Sequence, residues 1–449
     1  MKTKNLFLLL VVGTLLMACT SGKNSKDPAV WSKNAVIYEV NVRQYTPEGT
    51  FNAFSNHLPQ LKELGVDILW FMPIYPISQE NRKGTLGSYY AVKDYEGVNP
   101  EFGNAADFKT LVKKAHAMGF KVILDWVANH TGRDNAWTKQ HPDWFAKDSL
   151  GRILAPFDWT DVSKLNYKNK AMRAAMIDAM RYWVKHFDVD GFRCDVAGEV
   201  PTDFWNDARV ALDKIKPVFM LAEADKPELT NKAFAMDYNW PLLNVMNGIA
   251  KGKKTTADID KCLAHHDSIF SQASYKMNFL TNHDENSWSG SEYERYGEGV
   301  DAFAVLTYTL PGMPLIYTGQ EVGMHKRLSF FEKDTVPNWN NPEVFDFYKK
   351  LNVLKHTQPA LAAGTEGGKV VRYATESPAL YIFSRQVPDN EVLVVLNLSA
   401  KPQLVHFSGK KPTGSFTDYF RNAMLDVAGL EGTTLLPWQY KVLVKESKK

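Results

Sequence analysis

Cysteine is scarce in this chain, with three among 449 residues, Cys19, Cys194 and Cys262. The last two stand too far apart in sequence to suggest a disulfide framework or a metal-ligand cluster. Excess charge is missing as well: 53 Lys and Arg face 50 Asp and Glu, a formal net charge of +3. That removes the basic surplus nucleic-acid binding requires and favours an uncharged or weakly charged substrate. Neither G-x-G-x-x-G nor G-x-x-x-x-G-K-[ST] occurs, which argues against the phosphate cradles of nucleotide enzymes. No H-x-x-x-H pair marks a metal-dependent hydrolase. There is no internal repeat, and no low-complexity stretch beyond residues 20–28.

Apolar residues make up 45% of the chain, enough for a large core, and the length suggests two or three domains. Twelve Trp and 19 Tyr are plentiful; most fill cores, and their flat faces also suit stacking on sugars. The N-terminus has Lys2 and Lys4, an apolar run from Leu6 to Ala18 too short for a comfortable membrane span, then Cys19 and a polar stretch. This reads as an export signal over residues 1–19 followed by a linker over 20–30. Leu16-Met17-Ala18-Cys19 resembles a bacterial lipobox, which implies lipidation of Cys19, with plain secretion or an uncleaved anchor as alternatives. The expected location is the bacterial cell envelope. Thr20, Ser21, Gly22 and Lys23 precede any acid, which favours the periplasmic face over the cell surface.

From Trp31 short apolar strands alternate with amphipathic helices, the pattern of parallel strands joined by crossovers. Strands are expected at 36–40, 66–71, 120–124, up to Asp195, 217–222, 234–237, 276–281 and 313–317. A helix is expected over 55–64, capped by Gly65, and another over 171–187 with Met172, Met176, Met180 and Trp183 inward. Eight such units predict a (β/α)8 barrel over 31–357, with a small subdomain inserted at 131–166. Period-two segments at 379–385 and 392–398 predict an antiparallel β-sandwich over 358–449. Cys194 alternates away from its neighbours and reads as core.

Polar residues gather at four strand ends: Asp125 to His130, Arg193 with Asp195, Glu223, and His283-Asp284. Barrel closure would bring these ends to one rim, so three carboxylates, an arginine and two histidines would face one pocket. Two carboxylates on facing strands are the minimum for glycoside cleavage, and a third suits a transition state with positive charge growing on the sugar.

These motifs, Asp125-Trp126-Val127-Ala128-Asn129-His130, Gly191-Phe192-Arg193-Cys194-Asp195, Leu221-Ala222-Glu223 and Phe279 to Asp284, resemble in order the four regions of the α-amylase family of glycoside hydrolases. The resemblance implies Asp195 as nucleophile, Glu223 as general acid/base and Asp284 as the third carboxylate. It makes His130 and His283 sugar ligands, with a structural role as the alternative for either. Tyr90, in Gly87-Ser88-Tyr89-Tyr90-Ala91-Val92-Lys93-Asp94, would stack on the same sugar. Arg193 would orient Asp195, and Asp125 reads as a scaffold partner of Arg193; both are counted with the substrate-binding group. Asn129 matches a family calcium ligand, bracing of the adjacent loop being the alternative. No other cofactor is implied.

Val196-Ala197-Gly198-Glu199 and Ser163-Lys164-Leu165-Asn166 look most like the neopullulanase, cyclomaltodextrinase and maltogenic branch. Its Trp-His after the acid/base is replaced by Ala224-Asp225, and the first strand follows Cys19 too closely for that branch's additional N-terminal β-domain. The resemblance therefore implies a retaining hydrolase of α-1,4-glucosidic bonds in maltooligosaccharides or starch-type glucans, its partner being the glucan and its only membrane contact a lipid anchor. A transglycosylase or isomerising enzyme of the same family and a non-catalytic glycan-binding lipoprotein are the alternatives.

Overall fold

A computed structural model describes residues 31–446. The expected export signal, Cys19 and the linker lie outside the described residues. Eight parallel strands close into a barrel: β1 (Ile37–Val40), β2 (Ile68–Phe71) and β3 (Lys121–Trp126), then, beyond the short pair β4 (His130–Gly132) and β5 (Val162–Lys164), β6 (Gly191–Cys194), β7 (Phe219–Ala222), β8 (Met236–Tyr238), β9 (Tyr275–Asn278) and β10 (Met313–Tyr317). Every neighbouring pair runs parallel, and β10 closes on β1. The strands are buried along nearly their whole length, so they read as apolar runs without alternation.

Local chemistry sets the element ends. The helix expected over 55–64 is two, Phe51–Ser55 and Leu58–Leu64, because Pro59 lacks an N–H and fits only the first turn of a new helix. Gly65 ends the second at φ 92°. The helix Ala105–Ala117 opens on a capping box between Asn104 and Asp107. Lys170–Phe187 turns Met172, Met176, Met180 and Trp183 into the core. Cys194 is wholly buried.

The antiparallel pair β4 and β5 anchors the excursion after β3. The C-terminal domain is a six-stranded antiparallel sheet facing a two-stranded one. Its central hairpin, β12 (Leu380–Val387) and β13 (Asn390–Asn397), follows β11 (Val370–Tyr373) in the sheet and turns at Asp389, φ 64°. Period-two alternation divides the hairpin's two faces. Tyr381, Phe383, Val392, Val394 and Leu396 join the barrel's core, while Leu380, Ile382, Leu393 and Val395 build a second core with Val405 and Leu435. Buried Arg385 fastens the domains by donating to the carbonyls of Thr309, Leu310, Leu361 and Ala362.

One glycine decides whether β6 can sit in its place. Gly191, φ 156°, lies against β7, and a Cβ there would come within 1.8 Å of the Phe219 carbonyl oxygen. Gly429 meets nothing within 4 Å. Gly191→Ala should cost about 3 kcal/mol or more, since strand backbone cannot yield as a side chain does. Gly429→Ala should stay within about 1 kcal/mol. Equal denaturation midpoints for the two variants would contradict this reading of the β6–β7 contact.

Candidate functional site

The strand ends surround a cleft of about 490 Å³. Register sets its floor: Asp125 on β3 pairs with Arg193 on β6, so the two side chains share the inner face. One residue beyond β6 and β7 stand Asp195 and Glu223, whose amides bond the carbonyls of Trp126 and Cys194. Six of the sequence-predicted residues line the cleft: Tyr90, His130, Asp195, Glu223, His283 and Asp284.

Asp125 and Arg193 do not. Both are wholly buried beneath the cleft, so counting them as substrate-binding is corrected: they touch the residues that line it. The Arg193 guanidinium donates through NH1 to Asp125 Oδ1 (2.8 Å) and Asp195 Oδ1 (3.1 Å), and through Nε to the Tyr238 hydroxyl (3.0 Å). NH2 stands 2.9 Å from Glu223 Oε2, an ion-pair distance without hydrogen-bond alignment. Burial alone would lower the arginine's pKa, but Asp125 and Glu223 hold it well above its usual value. Burial pushes the Asp195 carboxyl well up, the Glu223 charge adds to this, and Arg193 opposes it.

The turn after Asp195 is strained. Val196, a β-branched residue, sits at φ 36° in the left-handed region and donates its N–H to Glu223 Oε2 at 2.7 Å. The strain thus aims a backbone donor at one carboxylate immediately after the other.

A second chain of contacts runs from β1. Glu39, wholly buried, lies with Oε1 2.5 Å from His283 Nδ1, and its other oxygen has no hydrogen-bond partner. His283 Nε2 is 2.7 Å from the Tyr90 hydroxyl, which donates to Asp125 Oδ2 (3.1 Å), and 3.4 Å from Asp284 Oδ2. Burial would push the His283 imidazole down, yet the Asp284 and Glu39 carboxylates carry it up to about 9. It is therefore an imidazolium at neutral pH, donating from both nitrogens. His130 is the opposite case: burial takes it down to about 3, so it stays neutral. Two histidines on one cleft thus carry different charges because only one has carboxylate partners.

Sequence reading missed Glu39. Its signal was there, an acid inside the apolar strand Ile37-Tyr38-Glu39-Val40, but only barrel closure shows which residue it faces. Trp288 was missed too: it lines the cleft at 57% exposure, on the single π-turn Glu285–Ser289 after Asp284. Asn129, the residue matched to a calcium ligand, makes contacts through its side-chain NH2 and its backbone carbonyl that do not involve Oδ1. Its side-chain amide lies 3.3 Å from His130 Nδ1 and its carbonyl takes the Leu165 N–H, so it braces the excursion loop. Among the described residues no group of three or more His, Cys, Asp or Glu is arranged to hold a metal.

The family model described as "Alpha amylase, catalytic domain" matches residues 20–153 and 144–341. Among solved structures, an alpha-amylase from Lactobacillus plantarum is 31% identical, with 92% of this chain and 99% of that one covered and a TM-score of 0.82. The maltogenic alpha-amylase AmyB from Thermotoga neapolitana is 30% identical over 93% and 99%, with a TM-score of 0.84. "Alpha-amylase MalA" of Haloarcula japonica is 26% identical over 94% of this chain, which spans 61% of that protein's length.

Glu39→Gln tests the β1 relay. Without the carboxylate the His283 imidazole should titrate at least one unit below its wild-type value near 9 by NMR, and turnover should fall about 10–100-fold, as for other residues that orient a ligand. An unmoved His283 titration would remove Glu39 from the account. A raised histidine stabilises the fold below its ordinary pKa of about 6.5 and loses that contribution as pH rises through its folded value. The variant should therefore lose less stability than wild type between pH 7 and 10.

Proposed function

Because this chain belongs to the α-amylase family of glycoside hydrolases, we propose that it hydrolyses α-1,4-glucosidic bonds of maltooligosaccharides and starch-type glucans with retention of configuration. The observation that carries this is the pair Asp195 and Glu223, both bound to one buried guanidinium at the barrel rim and both facing the cleft.

Asp195 is the nucleophile. The aligned Arg193 bond favours the charge on Asp195, and Glu223, which Arg193 meets without that alignment, serves as the general acid. Asp195 attacks the anomeric carbon as Glu223 gives its proton to the glycosidic oxygen, and the leaving chain departs as an alcohol. Water then gives a proton back to Glu223 and attacks the same carbon from the side the leaving chain vacated, freeing Asp195 and an α-anomeric product. Asp284 and the surrounding carboxylates stabilise the positive charge that builds on the ring in both steps. Tyr90 offers its face to that ring, and charged His283 and neutral His130 bond its hydroxyls. Two carboxyl groups and water complete this reaction without an organic cofactor.

We further propose, from Val196-Ala197-Gly198-Glu199 and Ser163 to Asn166, that the enzyme stands nearest the neopullulanase, cyclomaltodextrinase and maltogenic branch. The lipobox at Leu16 to Cys19 supports export and a lipid anchor in the bacterial cell envelope.

Chain lacking residues 1–19 should release α-anomers from maltoheptaose, read by NMR at early times, and Asp195→Asn should lose about 10⁴-fold or more in kcat. Initial β-anomers, or an Asp195→Asn variant that keeps its rate, would refute the mechanism. Glucan binding without cleavage by either protein would support the non-catalytic alternative. For the anchor, full-length protein grown with a clickable palmitate analogue should take label and sediment with membranes, whereas Cys19→Ala should do neither. An unlabelled wild type would end that proposal.

A further inference from the structure

The segment 79–87, between β2 and Tyr90, brings Lys83 to the lining of the cleft and is fastened on both sides. On the side of the excursion subdomain, Lys83 Nζ pairs with Asp161 Oδ1 at 3.2 Å, and the Gln79 amide donates to Asp134 Oδ2 at 3.0 Å. On the other side, the Thr85 amide donates to Glu332 Oε1 at 3.0 Å, its hydroxyl bonds the same carboxylate, and the Leu86 amide reaches the Phe331 carbonyl at 3.0 Å. Its base is closed by the Ile77–Val92 bridge, and buried Arg43 holds the Gly87 carbonyl at 3.1 Å. Lys83, Asp161 and Phe331 all line the cleft.

Which end is walled follows from the chemistry. Glu223 protonates the leaving oxygen, so the departing chain lies on its side. The strap runs directly into Ser88 and Tyr90, and Tyr90, bonded to His283 and Asp125, is the residue assigned above to offer its face to the sugar that stays on Asp195. The wall therefore stands beyond the retained sugar, where a longer glucan would have to continue.

We propose that the strap and its Lys83–Asp161 ion pair close the cleft beyond the retained sugars, so that the enzyme cuts from the non-reducing end and releases one short product of fixed length. This rests on the hydrolase reading above. The ion pair adds little stability, since Lys83 is 36% exposed and such pairs contribute about 0–1 kcal/mol. Its effect is steric: it joins two loops that would otherwise leave a through-going groove. A groove open at both ends binds the middle of a chain, whereas a pocket with one blind end admits only an end.

The test compares 4-nitrophenyl maltoheptaoside with the same compound blocked by a 4,6-O-ethylidene group at its non-reducing end. Wild type should cleave the blocked substrate at least 100-fold more slowly and give one dominant short product from the free one at early times. In Lys83→Ala and in Asp161→Ala the ratio of blocked to free cleavage should rise at least tenfold, and the charge-swapped Lys83→Asp/Asp161→Lys protein should restore discrimination. Equal cleavage of both substrates by wild type, or an unchanged ratio in both single variants, would overturn the proposal while leaving the hydrolase reading intact. Wild type that cleaves neither would sink that reading instead.

Discussion

A guanidinium sealed inside a barrel must be matched by carboxylates, and the site is built on that constraint. Arg193 has no access to water, and its charge is shared among Asp125, Asp195 and Glu223. Removing one partner from such a buried set leaves a charge uncompensated, at a cost of about 3–5 kcal/mol. The arrangement therefore fixes where the carboxylates point before any substrate arrives. It also sets the sign of the cleft. Five carboxyl groups, Glu39, Asp125, Asp195, Glu223 and Asp284, face two cations, Arg193 and His283. Carboxyl groups thus outnumber cations even when Glu223 acts as the acid, the environment a developing oxocarbenium ion requires and a poor one for an anionic substrate.

The two contact chains are one structure. Glu39 holds His283, His283 holds Tyr90, Tyr90 bonds Asp125, and Asp125 bonds Arg193. Residues from the first, second, third, fourth and seventh barrel strands or the segments after them are thereby locked together, with Trp70 of the second donating to Asp125 as well. The strained turn at Val196 belongs to the same scheme, since it supplies Glu223 with a backbone donor that no side chain offers. Strain of this kind persists only where the packing around it over-determines the backbone. Here Gly191 lets β6 lie tight against β7, and the C-terminal sheet seals the barrel from outside.

The barrel was legible because its strands are apolar runs bounded by helix caps, and because polar residues recur at their C-terminal ends. The same regularity brought six of the predicted site residues onto one cleft. What stayed hidden depended on closure. Asp125 and Arg193 look in sequence like the residues that line the cleft, and only the register of β3 against β6 puts them beneath the floor. Glu39 and His283 are far apart in the chain, and no local pattern joins them. The same holds for Lys83 and Asp161, loop residues whose meeting depends on how two irregular segments fold over the rim. The helix over 55–64 was misjudged for a local reason, Pro59, whose missing N–H starts a helix as readily as it breaks one.

The central claim is that Asp195 becomes covalently bound to the sugar while Glu223 manages the proton. Mass spectrometry of the enzyme after incubation with 5-fluoro-α-glucosyl fluoride tests it most directly, because the fluorine slows breakdown of the intermediate while the fluoride needs no acid to leave. The account predicts a single glycosyl adduct on the peptide containing Asp195, formed also by Glu223→Gln. An adduct on another carboxylate, or turnover to product with no adduct at any time, would contradict it.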